Sequence, residues 1–264
     1  MKIGFIGAGN MAKAMMGGII SHGIFTKEEV IASDAFAASL EGVKESLGVC
    51  VTTDNKEVAQ KAGVIVLSVK PQYYETVIKE IREYVDESKI IITIAPGQTL
   101  ERLEDLFGKS LKIVRTMPNT PALVGEGMTA ACANSQVTKE ELEYVCNILR
   151  GFGKVEVIGE NLMDAVVGVS GSSPAYVYMF IEAMADAAVA DGMPRKQAYE
   201  FAAQTVMGSA KMVLETGKHP GELKDMVCSP GGTTIEAVRI LEEKGFRSAV
   251  FEAVKGCTAK AKGM

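Results

Sequence analysis

Short apolar runs alternate with longer amphipathic stretches over the first part of the chain. Ile3–Ile6, Val30–Ala32, Val64–Val69, Ile90–Ile94 and Ile113–Thr116 are continuous enough in apolar character to read as strands of a parallel sheet covered on both faces. Helical patterns fill the intervals and carry start signals. Thr26 is followed three residues later by Glu29, Asp54 by Glu57 and Thr138 by Glu141, each compatible with capping at a helix N-terminus. Strand and helix in alternation predict a doubly wound α/β fold with right-handed crossovers, closed by a last strand at Val155–Ile158.

After about Glu160 the pattern changes. β-branched runs give way to Ala, Met and Gly at helical spacing, predicting about four to six helices and no sheet. Pro174, Pro194 and Pro220 fall where helices should start, because a missing N–H costs little there, and Ser173 is a suitable N-cap for Pro174. The expected division is therefore a domain at 1–160 and a helical domain at 161–264. Tyr176–Val189 is apolar nearly all round, and such a helix needs cover on every side. A helical domain this small has little interior to supply that cover, so a second subunit docked through it is expected; a central helix wrapped by its own domain is the alternative. Glu182 and Asp186 make the stretch a poor membrane span.

Composition narrows the function. A formal charge of -5 over 264 residues, with no Lys/Arg run, argues against nucleic-acid or anionic-membrane partners. Cys50, Cys132, Cys146, Cys228 and Cys257 are scattered, odd in number and without a Cys-x-x-Cys pair, as expected of reduced thiols in a cytosol and not of a disulfide framework or zinc site. His22 and His219 are the only histidines, so no metal centre is expected, and a Ser-His-Asp triad would have to recruit one of them. The chain opens directly on a strand, without an export signal, and a cytoplasmic location is expected.

Gly7-Ala8-Gly9-Asn10-Met11-Ala12 follows the first strand and opens a helix at once, the Gly-x-Gly-x-x-Gly/Ala arrangement of a Rossmann-type dinucleotide site in its required context. Gly7 permits the tight turn, Gly9 lets backbone approach a pyrophosphate, and Ala12 keeps helix and sheet close. Phosphates would meet free N–H groups and the positive end of the helix dipole. The second strand ends at Ser33-Asp34. An acid there either bonds the adenosine ribose or simply shapes a turn, and no arginine follows to take a 2′-phosphate. Val69-Lys70-Pro71-Gln72, Ala95-Pro96-Gly97 and Met117-Pro118-Asn119-Thr120-Pro121 stand at further strand ends, where ligands of open α/β sheets lie.

Near the C-terminus, Ser229-Pro230-Gly231-Gly232-Thr233-Thr234 puts a glycine pair and hydroxyls at the start of a helix. Physically this is either a small-carboxylate nest or a helix–helix turn with threonine caps. Together with Gly7–Ala12, Val69–Gln72, Met117–Pro121 and Ser170–Tyr176, the segment resembles the pyrroline-5-carboxylate reductases over essentially the whole chain.

The resemblance implies reduction of 1-pyrroline-5-carboxylate to L-proline, the last step of proline synthesis, by an NADPH-preferring enzyme. It implies a dimer interleaved through the helical domain, often assembled further. By matching position, Ser229, Gly232 and Thr233 would hold the substrate carboxylate, the Thr234 hydroxyl would meet the ring nitrogen as the catalytic contact, and Glu160 would lie near the substrate. Asn10, Met11, Ser33, Asn55, Val69, Lys70, Pro71 and the loop of Ala95, Pro96 and Gly97 match cofactor positions. Asp34 is less welcoming to a 2′-phosphate than a neutral residue, and Met226 stands where relatives often carry a polar residue, so NADH remains the alternative cofactor. The near absence of histidine fits this chemistry: a protonated cyclic imine accepts hydride without a general base, and orientation does most of the work. The rivals are a β-hydroxyacid dehydrogenase, for which Ser170–Tyr178 lacks a lysine acid/base, another imine reductase, and a dinucleotide sensor without turnover.

Overall fold

The computed structural model describes residues 2–263. The chain forms, in order, β1 (Ile3–Ile6), α1 (Asn10–Ser21), β2 (Val30–Ser33), α2 (Ala37–Leu47), β3 (Cys50–Thr52), α3 (Asn55–Lys61), β4 (Val64–Leu67), α4 (Tyr74–Ile81), β5 (Ile90–Thr93), α5 (Leu100–Phe107), β6 (Lys112–Met117), β7 (Gly127–Ala133), α6 (Lys139–Leu149) and β8 (Gly153–Val157). Six further helices follow: α7 (Met163–Val166), α8 (Pro174–Ala190), α9 (Arg195–Thr216), α10 (Pro220–Val227), α11 (Thr233–Glu243) and α12 (Phe246–Lys262).

The strands make one sheet in the order β3-β2-β1-β4-β5-β6-β7-β8. Neighbours from β3 to β6 are parallel, β7 runs antiparallel to β6, and β8 is parallel to β7. Alternating side chains feed opposite cores. Ile3 and Phe5 enter one core with Met15, Met16 and Ile19 of α1. Ile6 enters the other with Ile78 of α4 and Leu103 and Phe107 of α5. Burial on both faces explains why the strands read as unbroken apolar runs.

Several elements differ from expectation. β4 and β5 stop at Leu67 and Thr93, short of Val69 and Ile94, because the chain turns away into loops at the sheet edge. β3 and β7 carry no strand signal: β3 is a three-residue edge strand, and β7 reads Gly-Met-Thr-Ala-Ala-Cys-Ala, poor in β-branched residues. The Thr26–Glu29 capping box exists, yet it closes only a single 3₁₀ turn. Ser173 does not have N-cap backbone geometry. Its φ of -67° and ψ of -16° are already helical, because the chain enters α8 from a π-helical turn at Val167–Gly171.

Packing separates two units. The sheet unit runs through Ser172 and includes the chain from Cys257 onward, so the segment 161–172 expected to open the helical domain packs with the sheet. The helical unit is Ser173–Gly256. Within it α8 buries only Ala185, while Tyr178 and Met179 are exposed. All five cysteines are free. Among the described residues no helix is long and apolar enough to cross a membrane, and no cluster of His, Cys, Asp and Glu could hold a metal ion.

Candidate functional site

The sheet reverses direction between β1 and β4: the chain builds outward through β2 and β3, then returns to start β4 on the other side of β1. Ligands of such sheets lie beyond the carboxyl ends of the strands at this switch. The loops expected to bind a dinucleotide all begin there, after β1, β2, β4 and β5.

Gly7 and Gly9 serve the first loop differently. Gly7 has φ 106°, and a Cβ on it would lie 2.7 Å from the Ser68 carbonyl oxygen and 2.9 Å from Val69 N, both backbone atoms of the loop after β4. Its N–H donates to Ser33 O at 2.8 Å, and the Ser68 hydroxyl donates to Gly7 O at 2.7 Å. The turn is thus wedged between the ends of β2 and β4 by its own chain. Gly9 has ordinary angles, φ -73° and ψ -176°, and a Cβ there would meet nothing within 4 Å. No protein packing requires glycine at that position, so the open side is free for a ligand. Gly9 also offers α1 no side-chain cap, and Lys13 N–H, donating to Gly9 O at 2.9 Å, makes the first backbone bond of the helix. The N–H groups ahead of it form the exposed positive end that a pyrophosphate needs. The loop therefore fits a dinucleotide.

Asp34 shapes the turn. One carboxylate oxygen accepts the Ala8 N–H at 2.7 Å and the other the Phe36 N–H at 2.9 Å, so the acid braces the glycine loop from 26 residues away. Ser33 is fully buried, and its hydroxyl donates to Asn55 Oδ1 at 2.7 Å; Asn55 Nδ2 in turn donates to Glu80 at 2.8 Å. Lys70 is exposed, Val69 and Pro71 are half-buried, and Pro71 opens a 3₁₀ turn. Ala95 is buried, with Pro96 and Gly97 half-buried beside it.

A buried network that the sequence did not announce fixes these strand ends. The Tyr74 hydroxyl donates to Leu67 O at 2.7 Å and lies 2.7 Å from Thr93 Oγ1, while the Thr116 hydroxyl donates to Thr93 O at 2.8 Å. The ends of β4, β5 and β6 are thereby tied together. Burial pushes the Tyr74 phenol up to about 12, so it stays neutral.

Arg115 was also missed, although a cation in the middle of Lys112–Met117 was the available signal. Its side chain is 4% exposed, and Nη1 donates to Glu160 Oε1 at 2.8 Å. The same oxygen accepts the Leu100 N–H at 2.8 Å, and Asp164 lies 4.0 Å from the guanidinium. Glu160 thus lines a surface cavity of about 530 Å³ with one oxygen already engaged twice. Burial, reinforced by the Glu160 charge and opposed by Arg115, pushes the Cys132 thiol up to about 11.

In the helical unit, α10 ends at Val227, and past Cys228 the chain turns sharply through Ser229–Gly232 into α11. Gly231 has φ 69°, Gly232 N–H donates to Ser229 O at 3.0 Å, and a Cβ on Gly232 would collide with Ser229 Oγ. This turn brings Ser229, Gly232, Thr233 and Thr234 to one helix N-terminus without a side-chain cap. Thr234 is half-buried, and Met226, near the end of α10, is 63% exposed. Such an arrangement of hydroxyls at a helix N-terminus can hold a small carboxylate.

Comparison with known proteins covers both units. The family model for pyrroline-5-carboxylate reductase dimerisation matches residues 160–264, and that for NADP oxidoreductase, coenzyme F420-dependent, matches residues 2–97. The chain is 55% identical over 260 residues to pyrroline-5-carboxylate reductase from Escherichia coli, covering 98% of this chain and 97% of that protein. A pyrroline-5-carboxylate reductase structure from Coxiella burnetii aligns with a TM-score of 0.91 at 35% identity, over 99% of this chain and 97% of the other. The Plasmodium falciparum pyrroline carboxylate reductase, solved with NADP bound, gives a TM-score of 0.91 at 35% identity over 100% and 97% of the two chains.

Proposed function

Because the chain belongs to the pyrroline-5-carboxylate reductase family, we propose that its glycine loop and its Ser229–Thr234 turn divide between them the two ligands of one hydride transfer. The enzyme is an oxidoreductase that reduces 1-pyrroline-5-carboxylate to L-proline with NADPH, the proline-forming step of proline biosynthesis. The hydroxyacid-dehydrogenase and sensor readings give way to it.

NADPH supplies the hydride. Gly9 and the first N–H groups of α1, at Asn10 and Met11, take the pyrophosphate. Gly7 holds the turn that presents them, and Asp34 braces it through the Ala8 N–H. Ser33 and Asn55 shape the adenosine end, and Val69, Lys70, Pro71, Ala95, Pro96 and Gly97 form the walls of the groove. On the substrate side, Ser229 and the backbone at Gly232 and Thr233 hold the carboxylate, the Gly232 N–H sharing its bond to Ser229 O, and the Thr234 hydroxyl meets the ring nitrogen. Hydride adds to the carbon of the protonated C=N bond, the π electrons pass to nitrogen, and the resulting amine takes its second proton from water. No chain residue has to act as a base, so positioning carries the catalysis. Glu160, braced at Oε1 by Arg115 and the Leu100 N–H, lies near the substrate in this reading.

The observation that carries the cofactor half is the open side of Gly9, a glycine that the protein's own packing does not demand. For assembly, the reading is a homodimer through the helical unit, with further association of dimers as its extension. Met179, Phe201, Leu214 and Phe251 support it, each more than half exposed in the single chain. A cytoplasmic location agrees with five free thiols.

The test of the substrate half is Thr234→Ala. Catalytic efficiency toward pyrroline-5-carboxylate should fall while NADPH binding, followed by fluorescence titration, stays as in wild type. Unchanged kinetics would remove Thr234 from the mechanism.

A further inference from the structure

The π-helical turn at Val167–Gly171 has a carbonyl that its own helix is poorly placed to satisfy. Ser170 O would ordinarily accept the N–H four residues on, and that residue is Pro174, which has none. The donor comes from elsewhere: Asn119 Nδ2 lies 3.0 Å from Ser170 O. The other end of the same amide, Oδ1, accepts the Met128 N–H at 2.9 Å where β7 begins. Asn119 is 8% exposed, and its own carbonyl accepts the Ala122 N–H at 3.1 Å. One side chain therefore ties together the loop after β6, the start of β7 and the turn that hands the chain to α8.

The turn is fixed further within the same unit. The Ser172 N–H closes the wide ring to Val167 O at 2.8 Å, and the Cys257 thiol lies 3.2 Å from Ser172 Oγ. At the start of the segment, Arg115 of β6 grips Glu160. Both ends of the 160–172 connection are thus held from β6 and its following loop. An extra residue in a helical turn is unfavourable by itself and persists where its surroundings demand it, commonly at functional sites.

Resting on the reductase reading above, we infer that Asn119 is a positioning residue for hydride transfer. Both ends of its amide are engaged by protein backbone. Its amide fixes the loop after β6, at the carboxyl end of the sheet, and the π-helical turn that precedes α8. The orientation of the amide matters, because each end faces a group of opposite polarity. An aspartate of the same shape would set an oxygen against the Ser170 carbonyl.

The experiment is steady-state turnover of full-length wild type, Asn119→Asp and Asn119→Ser, with NADPH and with its 4-deuterated form, alongside urea unfolding. Displacement of the reacting centres lowers kcat roughly tenfold or more in Asn119→Asp and enlarges the deuterium isotope effect on kcat. The KM for NADPH stays within about twofold, since the bonds removed are to protein backbone. Asn119→Ser, smaller and still able to donate, shows a lesser loss in the same direction and decides the matter if the aspartate variant does not fold. Lowered stability with kcat and isotope effect unchanged overturns the inference, as does a rise in the KM for NADPH alone. Turnover in wild type matched by Asn119→Asp overturns it without touching the reductase reading. Absence of turnover in wild type overturns both.

Discussion

Replacing Gly7 or Gly9 by alanine adds the same methyl group two residues apart, and the structure assigns the two changes opposite consequences. At Gly7 the methyl would sit 2.7 Å from a backbone oxygen at a φ of 106°. The left-handed strain alone costs about 1–3 kcal/mol, and the clash can be relieved only by moving the loop after β4. At Gly9 the backbone suits any residue and the Cβ meets nothing. Alanine there leaves the ligand-free protein as stable as wild type, or more stable by roughly 0.4–1 kcal/mol through the entropy of the unfolded chain. In the proposed binding mode the same methyl stands in the path of the pyrophosphate. Losing one charge-assisted hydrogen bond, about 1.5–3 kcal/mol, weakens NADPH binding by roughly ten- to hundredfold. Urea unfolding with and without NADPH separates the effects, because saturating ligand at about a hundred times Kd adds ~2.7 kcal/mol to wild type. Gly9→Ala should keep the ligand-free midpoint and lose most of the NADPH shift; Gly7→Ala should lose the midpoint itself. A Gly9→Ala protein that binds NADPH normally, or that is destabilised without it, would refute the reasoning.

Two further outcomes follow from the buried groups. Tyr74→Phe strands Thr93 Oγ1 and removes a donor from Leu67 O, so stability to urea should drop by about 1–3 kcal/mol; an unchanged midpoint would show that the network does not hold the strand ends. Alkylation at neutral pH, mapped by peptide mass spectrometry, should mark exposed Cys50 first and leave Cys132 unreacted until the protein unfolds. The Cys132 thiol lies at about 11, so almost none is thiolate at that pH, and native labelling of Cys132 at the Cys50 rate would contradict its burial.

What the sequence announced depended on how local the signal was. β1, β4 and β5 were legible because burial on both faces leaves them nothing but apolar residues. β7 was not, since alanine and glycine carry little strand preference and its place is set by pairing with β6. Gly7 and Gly9 could be named from spacing, but only coordinates show that one is demanded by Ser68 and the other by nothing in the chain. Asp34 illustrates the limit: its strand-end position was readable, its partner Ala8 was not. Arg115, Glu160 and Asn119 work through contacts 45 to 60 residues distant, which no periodicity encodes. The Ser229–Thr234 turn lay between these cases, for its physics alone allowed a cap as readily as a nest.

The most direct test of the central claim is turnover itself: purified protein, 1-pyrroline-5-carboxylate and NADPH, with nicotinamide absorbance and proline measured together. The account predicts oxidation of NADPH that requires the imine and yields one proline for each NADPH consumed. Folded protein that binds NADPH and oxidises none in the presence of the imine would contradict it.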